Sequence, residues 1–372
     1  MDASPQQRLP KHLRNLLKAK VNTTPLEGYL NAQEEVDCFQ VGSLALQQTH
    51  QEQTLKAHLA MTLGVASNQL CLGTSPESLR NILLQVVCAH KRNHCLTFAP
   101  QRPQVKQLLD WHQIEQTTLS LQYLVDLPIS AIQEQVQLDT QLLILDHPNA
   151  ITGALLQRFD VADAVTAFDG WVLVDESSIG AVAEESMKSM VATCDNALIL
   201  QRTVGGLAVL IAHPELVEIL EQCRPALPLI QLQDAAEQLA LTKEERETSL
   251  ILSTLKKERV ELQKALEALP FVEKVYPSST NSLLLSVQKA DEVVQFLRES
   301  ERILVYRVPV LEDLPQGIRL TLGTPLDNLR LRSAFEQLPT KMNPKRAFWS
   351  DVSKGLRRAS SFLGFFKKFL GV

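Results

Sequence analysis

The sequence predicts an α/β protein: a large domain with a mainly parallel sheet flanked by helices, a smaller α+β domain, and a C-terminal amphipathic helix. Three observations carry this. Short, nearly all-apolar runs recur at 69–72, 95–98, 141–145, 171–174, 197–200 and 207–212, with helical patterns such as 78–87 and 154–159 between them. Strands buried on both faces by intervening helices read this way. A long helical pattern over 243–269 then leads to a second set of elements, strands at 272–275, 282–287, 303–305 and 318–322 and helices at 290–298 and 327–338. Finally, charge divides the chain. Of its 37 basic and 42 acidic residues, eight and one fall in 341–372, leaving 29 against 41 in the body, so the tail is near +7 and the body near -12. Such asymmetry gives the tail a partner of its own.

The remaining elements follow in order. Leu9, Leu13, Leu16 and Leu17 have helical spacing, a turn-rich stretch runs over 22–28, and a helix over 54–63 is expected to end at a Gly64 cap. The organisation is an N-terminal arm (1–50), a large domain (51–235), a connecting helix and small domain (236–340), and the tail (341–372). With 45% hydrophobic and 21% charged residues, the composition is that of a soluble globular protein. No run approaches the roughly 18 apolar residues of a membrane span, and the first twenty residues lack a signal-peptide core, so the cytoplasm is expected. Six scattered cysteines contain no CxxC pair, which excludes a disulfide or zinc framework. The cluster of Cys88, His90, His94 and Cys95 reads as packing and loop residues, so no metal is expected. Nor is a nucleic acid.

Five segments, in register over about residues 22–338, then carry a resemblance. Leu55-Lys-Ala-His-Leu-Ala-Met-Thr-Leu-Gly-Val65 precedes a loop, Leu72-Gly-Thr-Ser-Pro-Glu-Ser78. After them come Leu143-Ile-Leu-Asp-His-Pro-Asn-Ala-Ile-Thr-Gly153, Trp171-Val-Leu-Val-Asp-Glu176 and Gly317-Ile-Arg-Leu-Thr-Leu-Gly-Thr-Pro325. In this order they resemble the histidinol-phosphate aminotransferases, pyridoxal-phosphate enzymes of fold type I. The resemblance implies that fold, a homodimer, and pyridoxal phosphate held as a Schiff base by a lysine that also shuttles the proton. It also implies a carboxylate at the pyridine nitrogen, a phosphate loop at a helix N-terminus, a ring stacked on the cofactor, and an arginine for the substrate carboxylate.

Residue by residue, the resemblance holds unevenly. Asp175 ends an apolar strand at the position of the pyridine-nitrogen carboxylate; as an ordinary residue it would cap the next turn. Arg319 matches the substrate-carboxylate arginine; as an ordinary residue it would pair with an acid. Thr74 and Ser75 stand in the phosphate loop, but Pro76 has no N–H to donate and Glu77 repels phosphate, so Ser75-Pro76-Glu77 reads better as a helix start. Asn149 is kept, whereas the second asparagine of the motif is Ala150 and its proline Ile151. The tyrosine after Asp-Glu is Ser178, and Arg102 stands where the stacking ring belongs.

The decisive segment is Leu200-Gln-Arg-Thr-Val-Gly-Gly-Leu-Ala-Val-Leu-Ile-Ala-His-Pro-Glu215. Compared with the family, it lacks about eight residues, including the Schiff-base lysine, and no lysine lies between Lys188 and Lys243. The expectation is a degenerate member with no catalytic residue left, reused for binding or scaffolding. Asp175, Asn149, Thr74 and Ser75 would then be vestiges of a cofactor site, and pyridoxal phosphate would be held without a covalent bond or not at all. The rival expectation is an active aminotransferase on an amino acid or amino-phosphate.

The tail supports a third expectation, a peripheral membrane protein. As a helix, 350–370 would gather Trp349, Leu356, Phe366 and Leu370 on one face, widened by Phe362, Phe365 and Phe369. Its cations are Lys354, Arg357, Arg358, Lys367 and Lys368. Such a helix fits an anionic membrane surface or a protein partner.

Overall fold

The computed structural model describes residues 32–88, 94–121, 126–240, 245–308 and 317–342. The 9–20 helix, the 22–28 turn, His90 and every tail residue named above lie outside these. The chain divides into two compact units, Met1–Leu250 with Ser278–Thr280, and Ile251–Pro277 with Asn281–Val372.

In the first unit the chain runs through α1 (Ala32–Leu63), β1 (Leu70–Gly73), α2 (Pro76–Val87), β2 (His94–Ala99), α3 (Pro103–Trp111) and β3 (Glu115–Ser120). It continues through α4 (Ile129–Gln135), β4 (Thr140–Asp146), α5 (Arg158–Ala167), β5 (Trp171–Glu176), β6 (Ala197–Arg202) and β7 (Ala208–Ile211). Helices α6 (Pro214–Cys223) and α7 (Leu229–Ala240) follow. The seven strands form one sheet in the order β1-β7-β6-β5-β4-β2-β3. Only β7 runs against its neighbours β1 and β6; the other pairings are parallel. Because side chains alternate across a strand, the apolar runs feed two cores. Leu143, Val172, Val174 and Ile199 pack on one side, and Leu142, Ile144, Leu173 and Leu198 on the other.

The second unit contains most of α8 (Glu245–Glu267), then β8 (Val272–Val275), β9 (Ser282–Val287), α9 (Ala290–Glu299), β10 (Tyr306–Val308), β11 (Gly317–Thr321) and α10 (Pro325–Met342). Its four strands form an antiparallel sheet, β10-β11-β9-β8. Leu283, Leu285, Val293, Leu297, Leu331 and Phe335 form its core, and the Phe271 and Phe335 rings stack at 6.2 Å.

The expected α/β class with a mainly parallel sheet is what the chain adopts, and four local expectations need correction. Helix α1 begins well before residue 54, although Gly64 ends it with φ +70° as expected. The helix expected at 154–159 starts instead at Arg158, since Ala154 and Leu156 are buried at the two-residue spacing of an extended segment. Strand β10 begins at Tyr306 rather than 303; the alternation is already present there, but the ladder partners on β11 start opposite Tyr306. Strand β3 (EQTTLS) was not expected, because an edge strand carries polar, half-exposed residues instead of an apolar run.

Candidate functional site

Parallel strands deliver their carboxyl ends to one edge of the sheet, where ligands of open α/β sheets bind. Here that edge carries two acids side by side: Asp146 at the end of β4 is in register with Asp175 on β5. Asp175 is fully buried. Its Oδ2 accepts from Arg80 Nε at 2.7 Å, and its Oδ1 accepts from Arg102 Nη2 at 3.2 Å, from the Ser177 hydroxyl at 2.6 Å and from the Ser177 N–H at 3.0 Å. Burial pushes the Asp175 carboxyl up, but the charges of Arg102 and Arg80 and the two Ser177 hydrogen bonds outweigh it and hold the pKa at about 2.

Arg102 stands at a position the resemblance assigns to the cofactor, and Arg80 follows the 72–78 segment that it assigns to the phosphate loop. Arg80 lies on the first turns of α2, 2% exposed, and also reaches Glu77 Oε1 at 3.4 Å. Arg102 precedes α3, where a stacking ring was expected, and its guanidinium joins the two acids. Its Nε donates to Asp146 Oδ2 at 3.3 Å and its Nη1 to the Ser177 hydroxyl at 2.8 Å. Burial opposes the charge on Arg102, and the facing Asp146 and Asp175 more than restore it, raising its pKa. Asp146 is shifted in the opposite direction to Asp175: burial and the neighbouring Asp175 raise its pKa against the pull of Arg102.

The remaining expected positions are occupied by the fold itself. Asn149 spends its side chain on its own turn: Oδ1 accepts from the N–H groups of Ile151 and Thr152, and Nδ2 donates to the Pro100 carbonyl at 2.9 Å. Ser75 caps α2, with Ser78 N–H donating to its hydroxyl at 3.2 Å and Ser75 N–H donating to Ser78 Oγ at 3.1 Å. Thr74 beside it is half-buried. In the first turn Glu77 keeps its charge: burial raises its pKa, but its own N–H and Arg80 lower it further.

Where the resemblance expects the lysine loop, β6 and β7 form a closed hairpin. Thr203 N–H donates to the Leu207 carbonyl at 2.8 Å, around Gly205 and Gly206 at φ +65° and +75°. Gly205 touches α7 so closely that a Cβ would lie 2.8 Å from Ala235 Cα. Its N–H donates to Gln238 Oε1 at 2.9 Å. Arg319 sits in the second unit, half-buried on β11, with Nε donating to Ser282 Oγ at 3.3 Å.

Arg80, Ser177 and Asp146 were not singled out from the sequence. Arg80 left a signal: at helical spacing it falls on the apolar stripe of α2, between Pro76 and Leu83, where an arginine needs a buried partner. His94 donates and accepts within the sheet, to Thr140 and Thr117 at 2.9 Å each, while Cys88 and Cys95 are buried.

No family model matches the chain. In sequence it is similar to the histidinol-phosphate aminotransferase of Christiangramia forsetii, 27% identical over 297 residues, covering 77% of this chain and 84% of that protein. It is also similar to the one from Parabacteroides distasonis, 26% identical, covering 76% and 84%. In fold it is similar to the histidinol-phosphate aminotransferase of Sinorhizobium meliloti solved in complex with pyridoxal-5'-phosphate. That match has TM-score 0.69 at 15% identity and covers 79% of this chain and 83% of that one. The L-threonine-O-3-phosphate decarboxylase of Porphyromonas gingivalis has TM-score 0.65 at 19% identity, covering 77% and 88%. Sequence and fold together make the chain a homologue of the histidinol-phosphate aminotransferases, built on their fold-type-I scaffold.

Proposed function

We propose that this chain is a non-catalytic member of that lineage, retained for binding or scaffolding, and that it does not hold pyridoxal phosphate as an enzyme of the family would. The observation that carries this reading is the state of Asp175. Both its oxygens are engaged by Arg80, Arg102 and Ser177, so a pyridine nitrogen would have to displace a guanidinium from a buried carboxylate. Displacing one partner of a buried ion pair costs about 3–5 kcal/mol. The other cofactor contacts fit no better. Glu77 stands charged in the phosphate loop, Ser75 is committed to capping α2, and Asn149 to its own turn. No lysine amine is available from the β6–β7 connection.

The test is a spectrum. Purified protein mixed with pyridoxal phosphate is expected to show only the absorbance of free cofactor and no glutamate-dependent transamination. A new protein-bound band, bleached by borohydride, would restore the enzyme reading.

The homodimer implied by the resemblance and a peripheral attachment through residues 341–372 belong to the same proposal. The charge division between tail and body favours an anionic surface as the contact. Co-sedimentation with anionic liposomes is expected for the full chain and not for a chain ending at residue 340. Equal sedimentation of both would remove the anchor.

A further inference from the structure

The segment that leaves β5 after Asp175, Glu176 and Ser177 is built from short turns, with a kink at Val182 (φ -141°, ψ 44°). Two buried titratable groups clamp its far end. Glu176 accepts from the Ser186 hydroxyl and from the Met187 N–H, both at 2.6 Å. His147, the residue after β4, donates from Nε2 to the Glu185 carbonyl at 3.1 Å, since a carbonyl can only accept. That bond fixes the neutral tautomer and leaves a lone pair on Nδ1. His147 is fully buried, and its Nδ1 has no hydrogen-bond partner among the described residues.

A second proton on this ring has no place to go. At Nδ1 it would create a buried cation whose new N–H lacks an acceptor, which is costly. The charges around the ring do not remove the difficulty. Glu185 favours the cation, Arg158 at the start of α5 opposes it, and these two approach each other to 4.0 Å. Asp146 and Asp175 are engaged by Arg80 and Arg102, and Glu176 by the segment itself. Burial prevails and holds the His147 pKa below the usual 6.5. A protonated ring must therefore reach water. Behind it β5 is laddered on both sides, so the turn-built segment is the part free to open.

We propose that His147 is an acid-operated latch: protonated at Nδ1, it releases the 179–187 segment from the carboxyl ends of β4 and β5. Opening uncovers Ile179 and Met187, which are buried in the closed form. The neutral ring belongs to that closed form, so closure is complete above about pH 6.5 and weakens as the pH falls below it. Glu176 acts in the opposite sense. Its raised pKa makes the neutral acid the better fit, so acid does not open the segment through it.

The test is amide hydrogen exchange of the full chain, read by mass spectrometry on peptides covering 179–190 and corrected for the intrinsic pH dependence of exchange. Between pH 7.5 and 5.5 the open fraction is expected to rise about five- to tenfold, the range set by lying one unit below an ordinary histidine pKa. Peptides from β4 and β6 should keep their protection. His147→Gln, which retains a donor near the Nε2 position and takes no proton, is expected to abolish the rise. Equal protection at both pH values overturns the proposal, as does a rise that persists in His147→Gln. Should that variant fail to fold, the parent protein decides through exchange at C2 of its histidine rings. His147 must then titrate below the exposed His58; titration alongside His58 overturns the latch.

Discussion

Asp175 and Glu176 are consecutive on β5, fully buried, and point to opposite faces of the sheet, yet they are solved in different ways. Asp175 is neutralised by two guanidinium groups. Glu176 is held by neutral donors: the Ser186 hydroxyl at 2.6 Å, the Met187 N–H at 2.6 Å and the Gln201 amide at 2.7 Å. The outcomes are opposite. Burial raises the pKa of Glu176, and its hydrogen bonds recover only part of that. At Asp175 the arginines reverse the sign. Hydrogen bonds alone keep a buried acid satisfied; opposite charge keeps it ionised. The face of Asp175 is the one on which the resemblance places a cationic ring, and the protein has supplied cations of its own there.

The largest effect that tests this contrast is removal of each acid. Asp175→Leu strands Arg80 and Arg102 and is expected to cost about 3–5 kcal/mol in denaturant unfolding. Glu176→Gln keeps most of its neutral contacts and is expected to cost about 1 kcal/mol or less. Equal losses would mean that the arginines contribute nothing specific. Next, Gly205→Ala forces a side chain into a left-handed backbone against Ala235, and about 1–3 kcal/mol of stability should be lost. A smaller loss, about 1–2 kcal/mol, is expected for Arg102→Lys, because a single ammonium cannot bridge Asp146, Asp175 and Ser177 as the planar fork does.

The finest test is the pH dependence. The Asp175 pKa is depressed on folding, from 3.8 to about 2. Its contribution is therefore complete above about pH 4 and is lost as pH falls toward 2. Glu176 is raised above 4.5, as is Asp146 above 3.8. Their contributions are complete below those values and are lost as pH rises through the folded pKa. Unfolding midpoints followed from pH 6 to 2 should fall on the acid side in the parent protein. In Asp175→Asn the fall between pH 4 and 2 should flatten; in Glu176→Gln it should persist.

Much of the fold was legible because the central strands β4, β5 and β6 are buried on both faces and carry polar residues only at their ends. The edge strand β3 was not, since half its side chains face outward. At the site, the sequence exposed the missing lysine, Asp175, and an arginine at 102 in place of a ring. It did not reveal that Arg102 turns inward to bridge two acids, because that depends on β2, β4 and β5 ending at one edge. Arg80 is separated from Asp175 by 95 residues; only its place on an apolar stripe hinted at a buried partner. Asp146 was not singled out, because its part in the site depends on its register with Asp175.

One measurement tests the central claim most directly. The protein is incubated with excess pyridoxal phosphate, reduced with borohydride, digested and mapped by mass spectrometry. If Asp175 belongs to the arginines and no lysine serves the site, pyridoxyl groups will be scattered, substoichiometric, over exposed lysines. One equivalent on a single lysine would contradict the account and return the chain to the working enzymes.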